Sequence, residues 1–175
     1  DGELHSDLIP VGEADVLIAV EPLECLRYMQ YLKDGGAVVA SVNAFVNIGN
    51  YPPVESVLDR LAALPRHVLI DAERIARAAG SGRAANIAIL GAASLFLDLD
   101  PSELESAVAE MFAHKGPQVI EANRRAFRFG RNAGQAYLDG LGRGGRSVAV
   151  RHWIDTLEAE HLAAPEAPDA PAFDV

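Results

Sequence analysis

The stretch DVLIAVEPLECLRYMQYLKDGGAVVASV, residues 15–42, decides the fold class. It opens with DVLIAV at 15–20 and closes with AVVASV at 37–42, and these short apolar runs rich in β-branched residues predict buried strands. Between them, Pro22 to Leu32 carries apolar residues at helical spacing, and its proline suits a first helical turn. The glycine pair at 35–36 is expected to end that helix. The stretch therefore predicts a strand–helix–strand unit.

The sequence that follows repeats the same unit. Val54 to Leu64 comes after the stiff Pro52-Pro53 pair and predicts a second amphipathic helix, and His67 to Ile70 predicts a third strand. Strands that alternate with helices imply right-handed crossovers between parallel strands. We therefore predict an α/β fold with a three-layer, Rossmann-like sheet.

The pattern becomes helical after residue 70, which predicts a C-terminal helical cluster. Four segments carry helix start signals or helical apolar spacing: Asp71–Ala79, Ala84–Leu97, a segment from Asp100, and Pro117 to about Leu141. Gly91 lies inside the second of these, where close packing of two backbones is the expected reason for a glycine. We predict one domain over residues 1–141 and a loose, partly disordered acidic tail over 142–175.

The composition limits the classes of protein and cofactor. The 175 residues are 50% hydrophobic and carry a net charge of −10, which supports a buried core and argues against nucleic-acid binding. The longest nearly apolar stretch, Ile87 to Leu97, is too short to cross a membrane, so we expect a cytoplasmic protein without membrane contact. Cys25 is the sole cysteine, which excludes an internal disulfide and a cysteine-held iron–sulfur cluster. The scattered histidines lack partners at ligand spacing, so no metal site is predicted.

Three groups of residues carry a resemblance to a known family. They are SDLIPVGEADVLIAVEPLECLRYMQYLKDGGAVV at 6–39, ANIAILGAASLFLDL at 85–99, and the HK, EANRRAF and G elements at 114–115, 121–127 and 130. Taken in order, they resemble the gamma subunit or gamma domain of the 2-oxoacid:acceptor oxidoreductases over about Glu3 to Tyr137. Within that family, the sequence is most similar to the indolepyruvate or aromatic 2-oxoacid branch.

The resemblance implies an activity that belongs to a complex. Such enzymes, the pyruvate and indolepyruvate ferredoxin oxidoreductases, decarboxylate a 2-oxoacid oxidatively, pass its acyl group to coenzyme A and send electrons to ferredoxin. The resemblance places thiamine diphosphate, Mg²⁺ and the iron–sulfur clusters in larger catalytic subunits, and none of them in this chain. It implies a subunit that is inactive alone, helps to close the active site near coenzyme A, and lacks the family's opening strand and GxGGQG turn. A homodimer is compatible with it.

Candidate site residues follow the predicted strands, where open α/β sheets bind ligands. Glu21 and Glu24 come after the first strand, Arg27 can bind a carboxylate or phosphate, and Asn43 comes after the second strand. Asn86 begins the apolar helix. Each has a structural alternative, because acids stabilise a first helical turn, Arg27 can pair with Glu24, and asparagines form turns and caps. The helix does not require Glu21, and no residue is assigned as catalytic.

A stripe of arginines is predicted on the last long helix. Arg124, Arg128 and Arg131 recur at helical spacing on one face, with Glu121 as the one acid nearby. Like charges at this spacing repel, so the stripe is expected to face an acidic partner surface or the phosphates of coenzyme A. A solvated helix face is the structural alternative.

Two functions remain open at this point. The first is a subunit of a 2-oxoacid:ferredoxin oxidoreductase, with larger thiamine- and cluster-carrying subunits as partners. The second is a non-catalytic α/β ligand-binding or assembly module, because fold alone does not fix function. Co-purification with a thiamine- and cluster-binding partner separates the two.

Overall fold

Three parallel strands form the sheet. The structure, a computed structural model, describes residues 8–46, 49–164 and 168–173. The strands, which pair in the order β1-β2-β3, are β1 (Ala14–Ala19), β2 (Leu32–Ser41) and β3 (His67–Ile70). The second half of β2 and all of β3 are buried. The predicted α/β class with parallel strands is confirmed.

The helices connect the strands and then form the predicted C-terminal cluster. In chain order they are α1 (Pro22–Arg27), α2 (Val54–Ala62), α3 (Ala72–Ala78), α4 (Ala85–Ala93), α5 (Pro101–Met111), α6 (Pro117–Gly142), α7 (Ser147–Ile154) and α8 (Ala159–Ala163). The cluster packs onto the sheet, because α4 contacts β1 and β2 while α6 contacts β3. No helix of the described residues is long and apolar enough to cross a membrane.

The first crossover differs from its prediction. α1 ends at Arg27, a 3-10 turn follows, and β2 already begins at Leu32, so the expected helix over 22–32 is wrong in its second half. The glycine pair lies inside β2 and forms an irregularity there: Gly35 has a φ of +74°. A Cβ on Gly36 would lie 3.1 Å from the carbonyl oxygen of Asp15. The glycines therefore permit an irregular, close pairing of two strands and do not end a helix.

The contact between α4 and α6 brings two backbones together. A Cβ on Gly91 would lie 2.0 Å from the carbonyl oxygen of Phe127, and a Cβ on Gly130 would lie 1.9 Å from the carbonyl oxygen of Ala88. From Ile87 onward, α4 is buried on nearly all sides, as its apolar sequence there predicts. Close backbone packing, the reason expected for Gly91, is confirmed.

Part of the segment expected to be loose packs against the body of the protein. It contains α7 and α8, and Arg74 of α3 donates from Nη2 to the Ile154 carbonyl at 2.6 Å and from Nη1 to the Leu157 carbonyl at 2.9 Å. Arg143 donates to the carbonyl of Ala170, which is buried, at 2.7 Å. Residues 165–167 and 174–175, which the predicted disorder also covers, lie outside the described residues. The domain boundary at residue 141 remains a prediction.

The outer edge of β1 pairs with no strand among the described residues. An apolar groove of about 660 Å³ runs along it, and Ile9, Ile18, Val20 and Tyr28 in this groove are each 45 to 62% exposed. Asp15, the one charged residue of β1, pairs with Lys33 of β2. Parallel strands are usually covered on both faces, whereas the apolar side chains of this groove remain exposed among the described residues.

Candidate functional site

A cleft of about 580 Å³ lies beyond the carboxyl ends of β1 and β2. Its wall is formed by the start of α1, the loop between β2 and α2, and the first turns of α3 and α4. We call it the strand-end cleft. It brings together five predicted site residues, which are Glu21, Glu24, Arg27, Asn43 and Asn86. The remaining three, on α6, do not line it.

Glu21 is held by two hydrogen bonds. It is the N-cap of α1, and its Oε2 accepts the backbone N–H of Glu24 at 2.7 Å. Its Oε1 accepts the hydroxyl proton of Tyr51, thirty residues away along the chain. The expectation that the helix does not require Glu21 is therefore wrong, because the carboxylate satisfies one of the unpaired N–H groups at the helix start. Both oxygens retain lone pairs for a ligand.

Tyr51 is a site residue that the sequence analysis missed. It lines the strand-end cleft and precedes the proline pair that leads into α2. Burial, together with the hydrogen bond and the charge of Glu21, raises the pKa of Tyr51 to about 12. Its hydroxyl therefore stays a donor at neutral pH. The available signal was a lone tyrosine before two prolines in a loop at a strand's carboxyl end.

Glu24 and Arg27 form an ion pair one turn apart on α1, as the structural alternative predicted. Their side chains are 48% and 56% exposed, so the pair stabilises the helix little. A guanidinium has five N–H donors, and the pair uses one of them. Arg27 therefore keeps donors that can reach a ligand in the cleft.

Asn43 links the end of β2 to the start of α3. Its Oδ1 accepts the hydroxyl of Ser41 at 2.6 Å and the backbone N–H of Glu73 at 3.2 Å. Its Nδ2 donates to Oδ1 of Asp71 at 3.0 Å, and Asp71 in turn caps α3 by accepting the N–H of Arg74. This full set of partners supports the structural alternative for Asn43 and leaves it little capacity for a ligand.

Asn86, unlike Asn43, is not held by side-chain hydrogen bonds among the described residues. It lies in the first turn of α4, is exposed, and lines the strand-end cleft. It does not cap α4, because the N-cap is Ala84, which has no side-chain bond to the helix. The amide of Asn86 makes no hydrogen bond within the described part of the chain. Its amide is therefore accessible to a ligand in the cleft.

The arginine stripe of α6 is largely matched by acids. Nε of Arg124 lies 3.0 Å from Oε1 of Glu105, and Nη2 of Arg128 lies 2.9 Å from Oε1 of Glu121. Arg131 donates to a buried serine hydroxyl at the end of α4, at 2.7 Å. Glu105 belongs to α5, so its approach depends on helix packing that local spacing does not encode. These contacts support a satisfied helix face more than an unpaired cationic stripe.

The donor atoms of the described residues do not fit a metal or an iron–sulfur cluster. No group of three or more His, Cys, Asp or Glu there is arranged to hold a metal ion. Cys25 is buried in the core, and burial raises the pKa of its thiol to about 11. A protonated, isolated thiol is a poor cluster ligand, since clusters are held by several thiolates.

Comparison with known proteins identifies the family. The sequence profile of the pyruvate ferredoxin/flavodoxin oxidoreductase family matches residues 1–133. The chain belongs to this family. The resemblance found in the sequence is thereby confirmed, and the match includes the sheet, the strand-end cleft and most of the α4–α6 contact. Members of the pyruvate ferredoxin/flavodoxin oxidoreductase family are parts of ferredoxin oxidoreductase complexes that use thiamine diphosphate and iron–sulfur clusters.

Three relatives of this oxidoreductase chain are named indolepyruvate oxidoreductase subunit IorB. The protein from Methanothermobacter thermautotrophicus is 33% identical over 136 residues, covering 74% of this chain and 69% of the relative. The protein from Archaeoglobus fulgidus is 30% identical over 142 residues, covering 75% and 68%. The protein from Thermococcus kodakarensis is 31% identical over 150 residues, covering 78% and 71%. This oxidoreductase chain is therefore a subunit of a 2-oxoacid ferredoxin oxidoreductase complex.

Proposed function

We propose that this chain is the small subunit of an indolepyruvate-type ferredoxin oxidoreductase and works only with a larger subunit that carries thiamine diphosphate and iron–sulfur clusters. The main support for this proposal is the family match over residues 1–133, which includes every residue that lines the strand-end cleft. The names of the relatives support indolepyruvate as the substrate. The sole cysteine supports clusters held elsewhere, so ferredoxin would take electrons from the partner subunit.

The strand-end cleft is the part of this chain that we assign to the active site of the complex. Open α/β sheets bind ligands at this position. Glu21 supplies a fixed carboxylate, Asn86 a free amide, and Arg27 further donors. Three carboxylates, those of Glu21, Glu24 and Glu73, line the cleft beside the single guanidinium. This balance disfavours the several negative charges of the coenzyme A phosphates more than the single carboxylate of a 2-oxoacid, which Arg27 can pair with, so we place the phosphates outside the cleft.

Replacement of one carboxylate tests the assignment. In the assembled complex, Glu21→Gln is expected to lower the turnover of indolepyruvate about tenfold or more, because a charge facing the reacting groups is lost. The amide oxygen of glutamine can still cap α1, so the melting temperature should change by only a few degrees. Glu13→Gln, the same change at an exposed position outside the cleft, is the matched control. Full turnover by Glu21→Gln in an intact complex would refute the assignment of the strand-end cleft to the active site.

A further inference from the structure

The contact that orients Glu21 comes from the loop between β2 and α2. The hydroxyl of Tyr51 donates to Oε1 of Glu21 across the strand-end cleft. We propose that Tyr51 is a positioning residue of the active site, which acts through Glu21 by holding its carboxylate in one orientation on the cleft wall. This inference rests on the proposed function of the cleft.

Two hydrogen bonds, one to each oxygen, are needed to fix the orientation of a carboxylate, and Glu21 has both. The backbone N–H of Glu24 binds Oε2 at 2.7 Å, which alone leaves the carboxylate plane free to rotate about that bond. Tyr51 binds the other oxygen and is the one side chain that donates to Glu21 among the described residues. With both bonds in place, the remaining lone pairs of Glu21 point in defined directions.

Tyr51 is itself held in place. It is partly buried, and the two prolines that follow it restrict the backbone before α2 begins at Val54. α2 contacts α1, the helix that Glu21 caps, so the Tyr51–Glu21 bond joins the start of α1 to the loop that leads into a helix packed against it. Burial and the bond to Glu21 raise the pKa of Tyr51 to about 12, so its hydroxyl remains a donor well above neutral pH. A positioning group requires this kind of support from its surroundings.

Tyr51→Phe removes the hydroxyl and keeps the ring. In the assembled complex, we expect kcat to fall about tenfold while KM for the 2-oxoacid stays within about twofold, because misorientation of Glu21 affects the transition state more than substrate binding. A merely structural role would instead lower the melting temperature or weaken assembly and would leave kcat per assembled complex unchanged. Tyr28→Phe is the matched control, since Tyr28 is 55% exposed and lies outside the strand-end cleft.

A double-mutant cycle decides between action through Glu21 and independent action. In the Glu21→Gln background, Tyr51→Phe should cause no further loss of kcat, because its target is already gone. The inference would be overturned if the kcat losses of the two single variants multiplied in the double variant, or if Tyr51→Phe kept full activity while Glu21→Gln was impaired. Either result would leave the proposed function standing. Full activity of Glu21→Gln would overturn the assignment of the strand-end cleft to the active site together with this inference, whereas a complex that does not turn over indolepyruvate at all would overturn the proposed function.

Discussion

Gly130→Ala tests the close contact of α4 and α6. The added Cβ would lie 1.9 Å from the carbonyl oxygen and 2.8 Å from the Cα of Ala88. Both atoms belong to the backbone of α4, so no side-chain rotation relieves the overlap. The two helices must separate by about 1 Å or more at a place where both are buried.

The expected destabilisation follows from two opposing effects. Overpacking a tight core costs about 1–3 kcal/mol, and a clash between two backbones belongs at the upper end of that range. Alanine improves the helix propensity over glycine by about 1 kcal/mol, which offsets part of the cost. We therefore expect a loss of about 2 kcal/mol in the free energy of unfolding. For a chain of this size, that loss lowers the melting temperature by about 4–8 °C.

Urea unfolding and thermal melting followed by circular dichroism measure this loss. Gly142→Ala is the matched control in the same helix, because a Cβ there meets nothing within 4 Å and its φ is not positive. This control should be neutral or stabilise the protein by up to about 1 kcal/mol. Equal stability of Gly130→Ala and Gly142→Ala would refute the proposed overlap.

Three further predictions concern other parts of the chain. Burial lowers the pKa of His67 below its ordinary value of about 6.5, so the unfolded chain binds a proton at this imidazole more readily than the folded chain does. The free energy of unfolding should therefore decrease as pH falls below about 6.5. His67→Gln should flatten the dependence of the urea midpoint on pH. The chain purified without partners should show no visible iron–sulfur absorbance and no stoichiometric binding of thiamine diphosphate by calorimetry. Replacing Arg124 and Arg128 by Glu should place like charges beside Glu105 and lower the melting temperature. If complex assembly is also lost in a salt-dependent way, the arginines contact a partner; if only the melting temperature falls, they form a satisfied helix face.

The sequence predicted the elements that local periodicity determines. Alternating short apolar runs and amphipathic segments identified all three strands, and Pro101 and Pro117 marked the starts of α5 and α6. The predicted end of the first helix and the predicted start of β2 were wrong, because a glycine pair is compatible both with a helix end and with an irregular strand. Only the approach of β1 to Gly36 decides between them, and that approach is a tertiary contact.

The sequence selected several residues that line the strand-end cleft but not the contacts that hold them. The rule that ligands bind at strand ends selected Glu21 and Asn43, which line one cleft although twenty-two positions separate them. Tyr51 and Glu105 were missed because their partners lie 30 and 19 residues away in sequence. Hydrogen bonds over such distances depend on how elements pack, which periodicity and capping rules do not contain.

The edge of β1 that pairs with no strand among the described residues is a template for strand addition when this chain is handled without its partners. An exposed, largely apolar edge strand invites aggregation, and natural proteins protect such edges with charge. Asp15 is the one charged residue of β1, and its hydrogen bond to Lys33 holds the pKa of the carboxyl below its usual range. The carboxylate of Asp15 therefore stays ionised to a lower pH than an unpaired aspartate would, so protection of this edge should be lost only in strongly acidic buffer.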